Sequence, residues 1–165
     1  MRAILIVAAF ISIQPALAGE WVLFDVPSTE TGQSGAAAKV SGVIADRHGT
    51  RSARLVVNCI NDRTSVLMSA DYLVFGGDVV RAEYTIDGGP VTRAYWEVCP
   101  GDLCAGLWKG TGISFVKSFL DAAVVKMTFT RHFGDPINAT FPVHGAREAL
   151  KNIGRQCGWI PKERH

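Results

Sequence analysis

The four cysteines of this chain, at positions 59, 99, 104 and 157, constrain its fold more than any other feature. A disulfide holds two backbone segments within about 7 Å of each other, so each pairing excludes most paths of the chain. Four cysteines allow three pairings, and sequence alone does not choose among them. The compartment of the protein and the periodicity of the residues around each cysteine favour one of the three.

The first 18 residues have the pattern of a secretory signal peptide. Arg2 provides a positive start, an apolar run of about a dozen residues follows, and Ala16-x-Ala18 fits a cleavage site. This run is shorter than the roughly 20 residues of a transmembrane helix, and no later stretch approaches that length. We therefore expect cleavage of 1–18, a periplasmic or secreted protein with no membrane insertion, and oxidised thiols.

The remaining residues, 19–165, are enough for one globular domain with its own core. The chain has 17 Lys and Arg against 15 Asp and Glu. Its positive residues are scattered, whereas nucleic-acid-binding proteins cluster them, so we expect no nucleic-acid partner. The Ser-, Thr-, Gly- and Ala-rich segment 28–38 predicts a mobile loop, and the charged segment 160–165 predicts a frayed tail.

Alternation of apolar and polar residues predicts a series of antiparallel strands. The turn sequences Asn61-Asp62 and Asp87-Gly88-Gly89 are typical of tight hairpins between such strands. The predicted strands cover 20–26, a segment around 39–44, 52–60, 64–70, 79–86, 91–98, 105–109, 124–131 and 137–143.

Two amphipathic helices are predicted in the C-terminal half. The apolar residues of 113–123 recur on one helical face, after Thr111 or Gly112 as a cap. In the closing segment, at about 100° per residue, one narrow stripe carries Ala146, Leu150, Ile153 and Cys157. The sequence therefore indicates an α+β fold, a mainly antiparallel and sandwich-like sheet with two late helices, stabilised by disulfides.

The same periodicities favour a pairing of the cysteines. Cys59 lies on the apolar face of strand 52–60, and Cys157 lies on the apolar stripe of the closing helix, so both sulfurs point to the core. We expect Cys59–Cys157, with Cys99–Cys104 closing a short Pro-Gly turn. The alternatives are a zinc site, for which the Cys spacing is poor, and free or redox-active thiols.

No catalytic constellation is visible in the sequence. The four histidines, at positions 48, 132, 144 and 165, do not pair at helical spacing, and there is no G-x-S-x-G motif. We therefore expect a protein without catalytic activity, cofactor or metal ion.

One segment has the composition of a partner contact. Tyr95 and Trp108 flank the cysteine turn, which carries Asp102 and Leu103. Aromatic side chains beside a rigid loop are common where one protein binds another. We therefore predict these four residues as partner contacts, although ordinary packing is the competing explanation for the aromatic pair.

Several motifs together resemble a known family. They are the first strand at Trp21, Leu55-Val-Val-Asn-Cys59, Tyr84-Thr-Ile-Asp87, the helix from Phe115 to Ala122, and Ala139-Thr-Phe-Pro-Val-His-Gly145 leading to Cys157-Gly-Trp159. This order is similar to the VasI/TagO-type family of exported proteins associated with bacterial type VI secretion. The Cys99–Cys104 pair departs from that pattern.

The resemblance implies a non-enzymatic periplasmic accessory protein, active in secretion or envelope assembly, with another exported or envelope protein as partner. The alternative is an inhibitor or immunity-type protein that blocks an envelope enzyme through the Cys99–Cys104 loop. The sequence does not indicate an oligomeric state.

Overall fold

The computed structural model describes residues 19–27, 34–131 and 135–161. The predicted signal peptide lies outside these residues, as do 28–33 of the predicted loop and 162–165 of the predicted tail. The described residues confirm the expected fold class, because antiparallel strands dominate, the helices come late, and two disulfides are present.

The described residues form nine strands and three helices. The strands are β1 Trp21–Pro27, β2 Ser34–Asp46, β3 Gly49–Ile60, β4 Arg63–Ala70, β5 Val79–Ile86, β6 Thr92–Val98, β7 Cys104–Trp108, β8 Val124–Thr130 and β9 Ile137–Pro142. The helices are α1 Lys109–Phe119, α2 Ala146–Ala149 and α3 Lys151–Gln156.

The strands form one antiparallel sheet in the order β1-β2-β3-β4-β7-β6-β5-β8-β9, and β9 also pairs with β2. The second pairing closes strands β2 to β9 into an eight-stranded barrel. β1 continues the same edge of β2 beyond β9, since Val43 to Ala45 pair with β9 whereas Ser34 to Val40 pair with β1. The sandwich-like sheet that we expected is therefore closed on itself.

Alternation along the strands fills the barrel interior, as predicted. On β3 the residues Ala53, Leu55, Val57 and Cys59 are all fully buried. An eight-stranded barrel is just wide enough for side chains to fill it. The interior of this barrel is a packed core.

Aromatic contacts link this core along its length. Trp96 contacts Phe115 of α1 and Phe129 of β8, with 5.4 Å between ring centroids in each pair. Phe115 also contacts Tyr84 at 4.9 Å, and Phe129 contacts Phe75 at 5.5 Å. Edge-to-face pairs of this kind add about 0.5–1.5 kcal/mol each beyond the area that they bury.

The two ends of the barrel are covered differently. At the helical end, where β3 ends and β4 begins, α1 buries Phe115, Val116 and Phe119, and α3 is tied to β3 by a disulfide. At the loop end, where β4 ends and β7 begins, the loop 71–78 inserts Leu73 and Phe75, which are 1% and 2% exposed.

The predicted mobile loop is wrong for 34–38, which form the start of β2. Small residues there permit close packing between strands, so their composition does not indicate a loop. A Cβ on Gly35 would lie 2.6 Å from the Cys59 carbonyl oxygen, and Ala37 and Ala38 are buried.

The predicted frayed tail is wrong for Ile160, which is partly buried against the core. The amide N–H groups of Trp159 and Ile160 both donate to the Gly154 carbonyl oxygen, at 2.9 and 3.0 Å. A Cβ on Gly154 would lie 2.6 Å from the Ile160 side chain. The chain therefore folds back over this glycine.

The predicted closing helix is divided into α2 and α3 at Leu150, where φ is −93° and ψ is 0°. Its apolar stripe is confirmed, because Ala146, Leu150 and Ile153 are at most 1% exposed. The break leaves Cys157 in register, since its N–H still donates to the Ile153 carbonyl at 3.0 Å. The apolar stripe therefore places Cys157 against β3, as expected.

Candidate functional site

Both predicted disulfides are present. Cys59 and Cys157 are 5.8 Å apart between Cα atoms and 98 residues apart in sequence, and Cys99 and Cys104 are 5.2 Å and 5 residues apart. No free cysteine remains. The zinc and free-thiol alternatives are therefore wrong for this structure.

The first disulfide is structural. Beside it, the Trp159 indole N–H donates to the Thr64 hydroxyl at 3.1 Å, and both residues are buried. The turn that follows α3 is thus held to the sheet by a covalent bond and by a buried hydrogen bond. This region serves stability.

The second disulfide closes a turn at the loop end. Cys99 N–H donates to the Cys104 carbonyl at 2.8 Å, and Asp102 N–H donates to the Cys99 carbonyl at 2.9 Å. Asp102 has a φ of +61°, a left-handed conformation that aspartate tolerates better than most residues. The turn is therefore fixed by three short-range links.

Four exposed apolar residues lie at the same end of the barrel as this turn. We define the loop-end surface as Tyr72, Val74, Val79 and Leu103, which are 92%, 51%, 50% and 62% exposed. In the loop 71–78, Tyr72 and Val74 point outward while the residues that alternate with them are buried in the core. The loop thus presents apolar groups to solvent on a well-anchored backbone.

Backbone hydrogen bonds join the two loops that carry this surface. Phe75 N–H donates to the Asp102 carbonyl at 2.9 Å, and Val98 N–H donates to the Asp78 carbonyl at 2.8 Å. The Arg131 guanidinium also donates to the Val74 carbonyl at 3.3 Å. Because these bonds already fix the loops, binding of a partner would cost little conformational entropy in them.

The four predicted contact residues fall into two groups. Asp102 and Leu103 lie at the loop end, where Leu103 is exposed and the Asp102 carbonyl accepts the Phe75 N–H. Tyr95 and Trp108 lie toward the helical end, where Tyr95 is 72% exposed and Trp108 is half-buried. Asp102 and Leu103 are neighbours in one turn, whereas Tyr95 and Trp108 line different depressions of the surface. Contact of these residues with a partner stays a prediction.

Trp108 lines a groove on the outer wall of the barrel. We define the wall groove as the depression of about 660 Å³ that crosses β3, β4 and β7 near the helical end. Its polar lining includes Asn58, Ser65, Arg63, Glu97 and Lys109, and Pro27 and Ile60 add apolar area.

Two polar residues in this groove are unusually buried. Asn58 and Ser65 are 7% and 8% exposed, and the Ser65 hydroxyl donates to the Asn58 side-chain oxygen at 2.6 Å. They lie opposite each other across the β3–β4 ladder. The mutual hydrogen bond fixes the orientation of both side chains.

The indole of Trp108 lies across Gly106. A Cβ at Gly106 would be 3.1 Å from the six-membered ring of Trp108 and 2.7 Å from the Leu67 side chain. The absence of a side chain at this position leaves room for the ring beside Ser65, the partner of Trp108 in the β4–β7 ladder. The enclosed indole N–H has no hydrogen-bond acceptor.

Perturbed acid groups lie outside both surfaces. Backbone donation from His48, with Arg51 nearby, lowers the pKa of Asp46, and the hydrogen bond from Arg147 lowers the pKa of Asp121. Burial raises the pKa of Tyr84. Across the described part of the chain, no three His, Cys, Asp or Glu side chains are grouped to hold a metal ion.

None of the helices in 19–27, 34–131 and 135–161 combines the length and apolar character needed to cross a membrane. Comparisons of the chain with protein-family models, with curated proteins and with solved structures found no match. The similarity to the VasI/TagO-type family therefore stays a prediction.

Sequence reasoning missed most residues of these surfaces, among them Tyr72, Val74, Asn58 and Ser65. Tyr72 and Val74 could have been found from the sequence, because they alternate with Leu73 and Phe75 in a segment for which no strand is predicted. Asn58 and Ser65 carry no signal that we can identify, since polar residues on the outer face of a strand are usually solvated. Their burial depends on what the fold packs over them.

Proposed function

We propose that this protein is an exported binding protein that contacts another exported or envelope protein through its loop-end surface. The observation that carries the proposal is the exposure of Tyr72 and Leu103 on loops that are fixed by a disulfide and by backbone hydrogen bonds. Tyrosine is enriched among the residues that dominate binding energy, and a rigid backbone lowers the entropic cost of association.

Two features support a place for this function in the cell envelope. Disulfides persist in oxidising compartments such as the periplasm and are rare in the cytosol, and the N-terminal sequence has the pattern of a signal peptide. The resemblance to the VasI/TagO-type family favours a partner in type VI secretion or envelope assembly. In this role the protein has no catalytic step of its own.

Site-specific crosslinking tests the proposal. A photo-reactive amino acid is placed at Leu103 or at Tyr72 in the exported protein, and the crosslinked species in the native envelope are identified by mass spectrometry. Val91 provides the matched control, because it is 60% exposed but lies in the hairpin at the opposite end.

The expected result is one partner captured from both loop-end positions and absent from Val91. Addition of a Val74→Asp substitution should abolish this crosslink while leaving the thermal unfolding midpoint unchanged. Equal capture from all three positions, or none from the loop end, would contradict the proposal.

A blocking role through the Cys99–Cys104 loop is the second candidate, and the exposed Leu103 at the tip of that loop favours it. The two roles differ in the identity of the crosslinked protein. An envelope hydrolase whose activity falls on addition of the pure protein would support inhibition, whereas a secretion component with unchanged activity would support the accessory role.

A further inference from the structure

We propose that the wall groove binds a saccharide that carries a carboxylate. This site lies on the side wall toward the helical end, so the proposal goes beyond the protein contact at the loop end and does not depend on it. Three features carry it: a half-buried tryptophan ring that lines the groove, a buried amide–hydroxyl pair, and a rim with two cations and one carboxylate.

The ring of Trp108 offers the apolar platform. Its six-membered ring packs against Gly106, and the half-buried residue keeps part of its surface exposed to the groove. The face of an aromatic ring carries partial negative charge, whereas the C–H groups on one face of a sugar ring are apolar and carry slight positive charge. A sugar is therefore suited to stack there, with its hydroxyl groups directed to the sides.

Asn58 and Ser65 offer directed hydrogen bonds beside the platform. Because Ser65 donates to the Asn58 side-chain oxygen, the Asn58 amide N–H groups are left for another acceptor. The Ser65 oxygen keeps capacity to accept as well. Both side chains are more than nine-tenths buried, so their orientation costs little to maintain, and hydroxyl or acetamido groups of a sugar match them.

The charges on the rim select among saccharides. Arg63 and Lys109 are exposed and cationic, and Glu97 is exposed and anionic. Glu97 can accept hydrogen bonds from sugar hydroxyls, while the two cations favour a carboxylate on the ligand. A sugar acid of the kind found in bacterial cell walls has all three kinds of group.

Isothermal titration calorimetry of the full mature protein, with both disulfides intact, tests the proposal. The probe is the disaccharide N-acetylglucosaminyl-N-acetylmuramic acid, and the neutral comparison is di-N-acetylchitobiose. We expect saturable binding of the acidic disaccharide and binding of the neutral one that is several-fold weaker.

The variants separate stacking from charge. Trp108→Ala should weaken binding of both sugars by about tenfold or more. Lys109→Ala should weaken only the acidic one, and Lys126→Ala, on the outer face of β8, should change neither. Thermal unfolding of each variant shows whether it folds, and Asn58→Asp provides a second test that keeps the size of the side chain while removing the amide donors.

Absence of saturable binding by the wild-type protein would overturn the proposal. So would binding that is unchanged in both Trp108→Ala and Asn58→Asp, or a groove that takes up an acidic peptide but no sugar. None of these results bears on the crosslinks from the loop end, so failure of this proposal is distinguishable from failure of the proposed function.

Discussion

The helical end and the loop end of the barrel are covered by different elements. The helical end uses three helices and a disulfide between residues that are 98 positions apart. At the loop end, the described residues include a loop with two buried side chains and a turn closed by a disulfide across only five positions.

The difference teaches where each disulfide acts. A bridge stabilises mainly by restricting the unfolded chain, and the effect grows with the length of the closed loop. The bridge at the helical end therefore contributes to global stability, since it ties the end of the domain to β3. The bridge at the loop end restricts few residues, and its main consequence is the fixed shape of a surface that faces solvent.

The largest expected effect follows from removal of the long bridge. The double substitution Cys59→Ala and Cys157→Ala should lower the free energy of unfolding by about 4–5 kcal/mol. Urea denaturation measured against the oxidised wild type checks this value. A loss as small as that from removal of the short bridge would show that loop length does not explain the difference between the ends.

Removal of the short bridge should cost less. The double substitution Cys99→Ala and Cys104→Ala should lower the free energy of unfolding by about 2 kcal/mol, because the closed loop is short. The same variant should lose more of its crosslinking from Leu103 than the long-bridge variant does under conditions where both are folded. If the long-bridge variant lost more of this crosslinking than the short-bridge variant, rigidity of the loop end would not explain the contact with the partner.

The tryptophans of the helical end and the wall groove give a smaller contrast. Trp159→Phe removes a buried hydrogen bond to Thr64 and should cost about 1–2 kcal/mol more than Trp108→Phe, whose indole N–H has no acceptor. Paired urea titrations measure the difference. Equal losses would mean that the Thr64 bond adds nothing to the closure of this end.

The smallest effect concerns pH and involves both ends. Asp46 at the loop end and Asp121 at the helical end have pKa values below the ordinary 3.8 in the folded protein. A carboxyl group with a lowered pKa in the folded state stabilises the protein above its unfolded pKa, and this contribution is lost as pH falls through the folded value.

The stability gap between the wild type and Asp121→Asn, or Asp46→Asn, should therefore be present near neutral pH and close below 3.8. Thermal unfolding across this pH range measures it. Arg147→Gln is the control for Asp121, because it breaks the same ion pair from the other side. If the difference in stability widened as the pH fell, the conclusion that folding lowers the pKa of these carboxyl groups would be wrong.

Local pattern accounted for most of the elements. Alternation placed Cys59 on the inner face of β3, and helical periodicity placed Cys157 beside Ile153. Both arguments depend only on backbone geometry within a few residues, so they hold in any fold that buries one face. Together they predicted the long disulfide without knowledge of the sheet order.

Composition alone gave a wrong prediction for two segments whose conformation depends on packing. The Gly- and Ala-rich start of β2 reads as a loop, yet those small residues permit close contact with β3. The charged tail reads as frayed, yet Ile160 packs over Gly154. For the start of β2 the deciding contact is with a separate strand, and for Ile160 it is with a residue six positions earlier, across a reversal of the chain that charge content does not indicate.

The fold class and most strand faces follow from the sequence by itself, and the periodicity around the cysteines favours the observed disulfide pairs, because these depend on short-range geometry and on the chemistry of cysteine. Closure of the barrel, the grouping of Tyr72 with Leu103, and the placement of Asn58 and Ser65 beside Trp108 follow from pairings between distant strands and loops. Such pairings depend on how all nine strands are ordered around one core, and no local pattern carries that information.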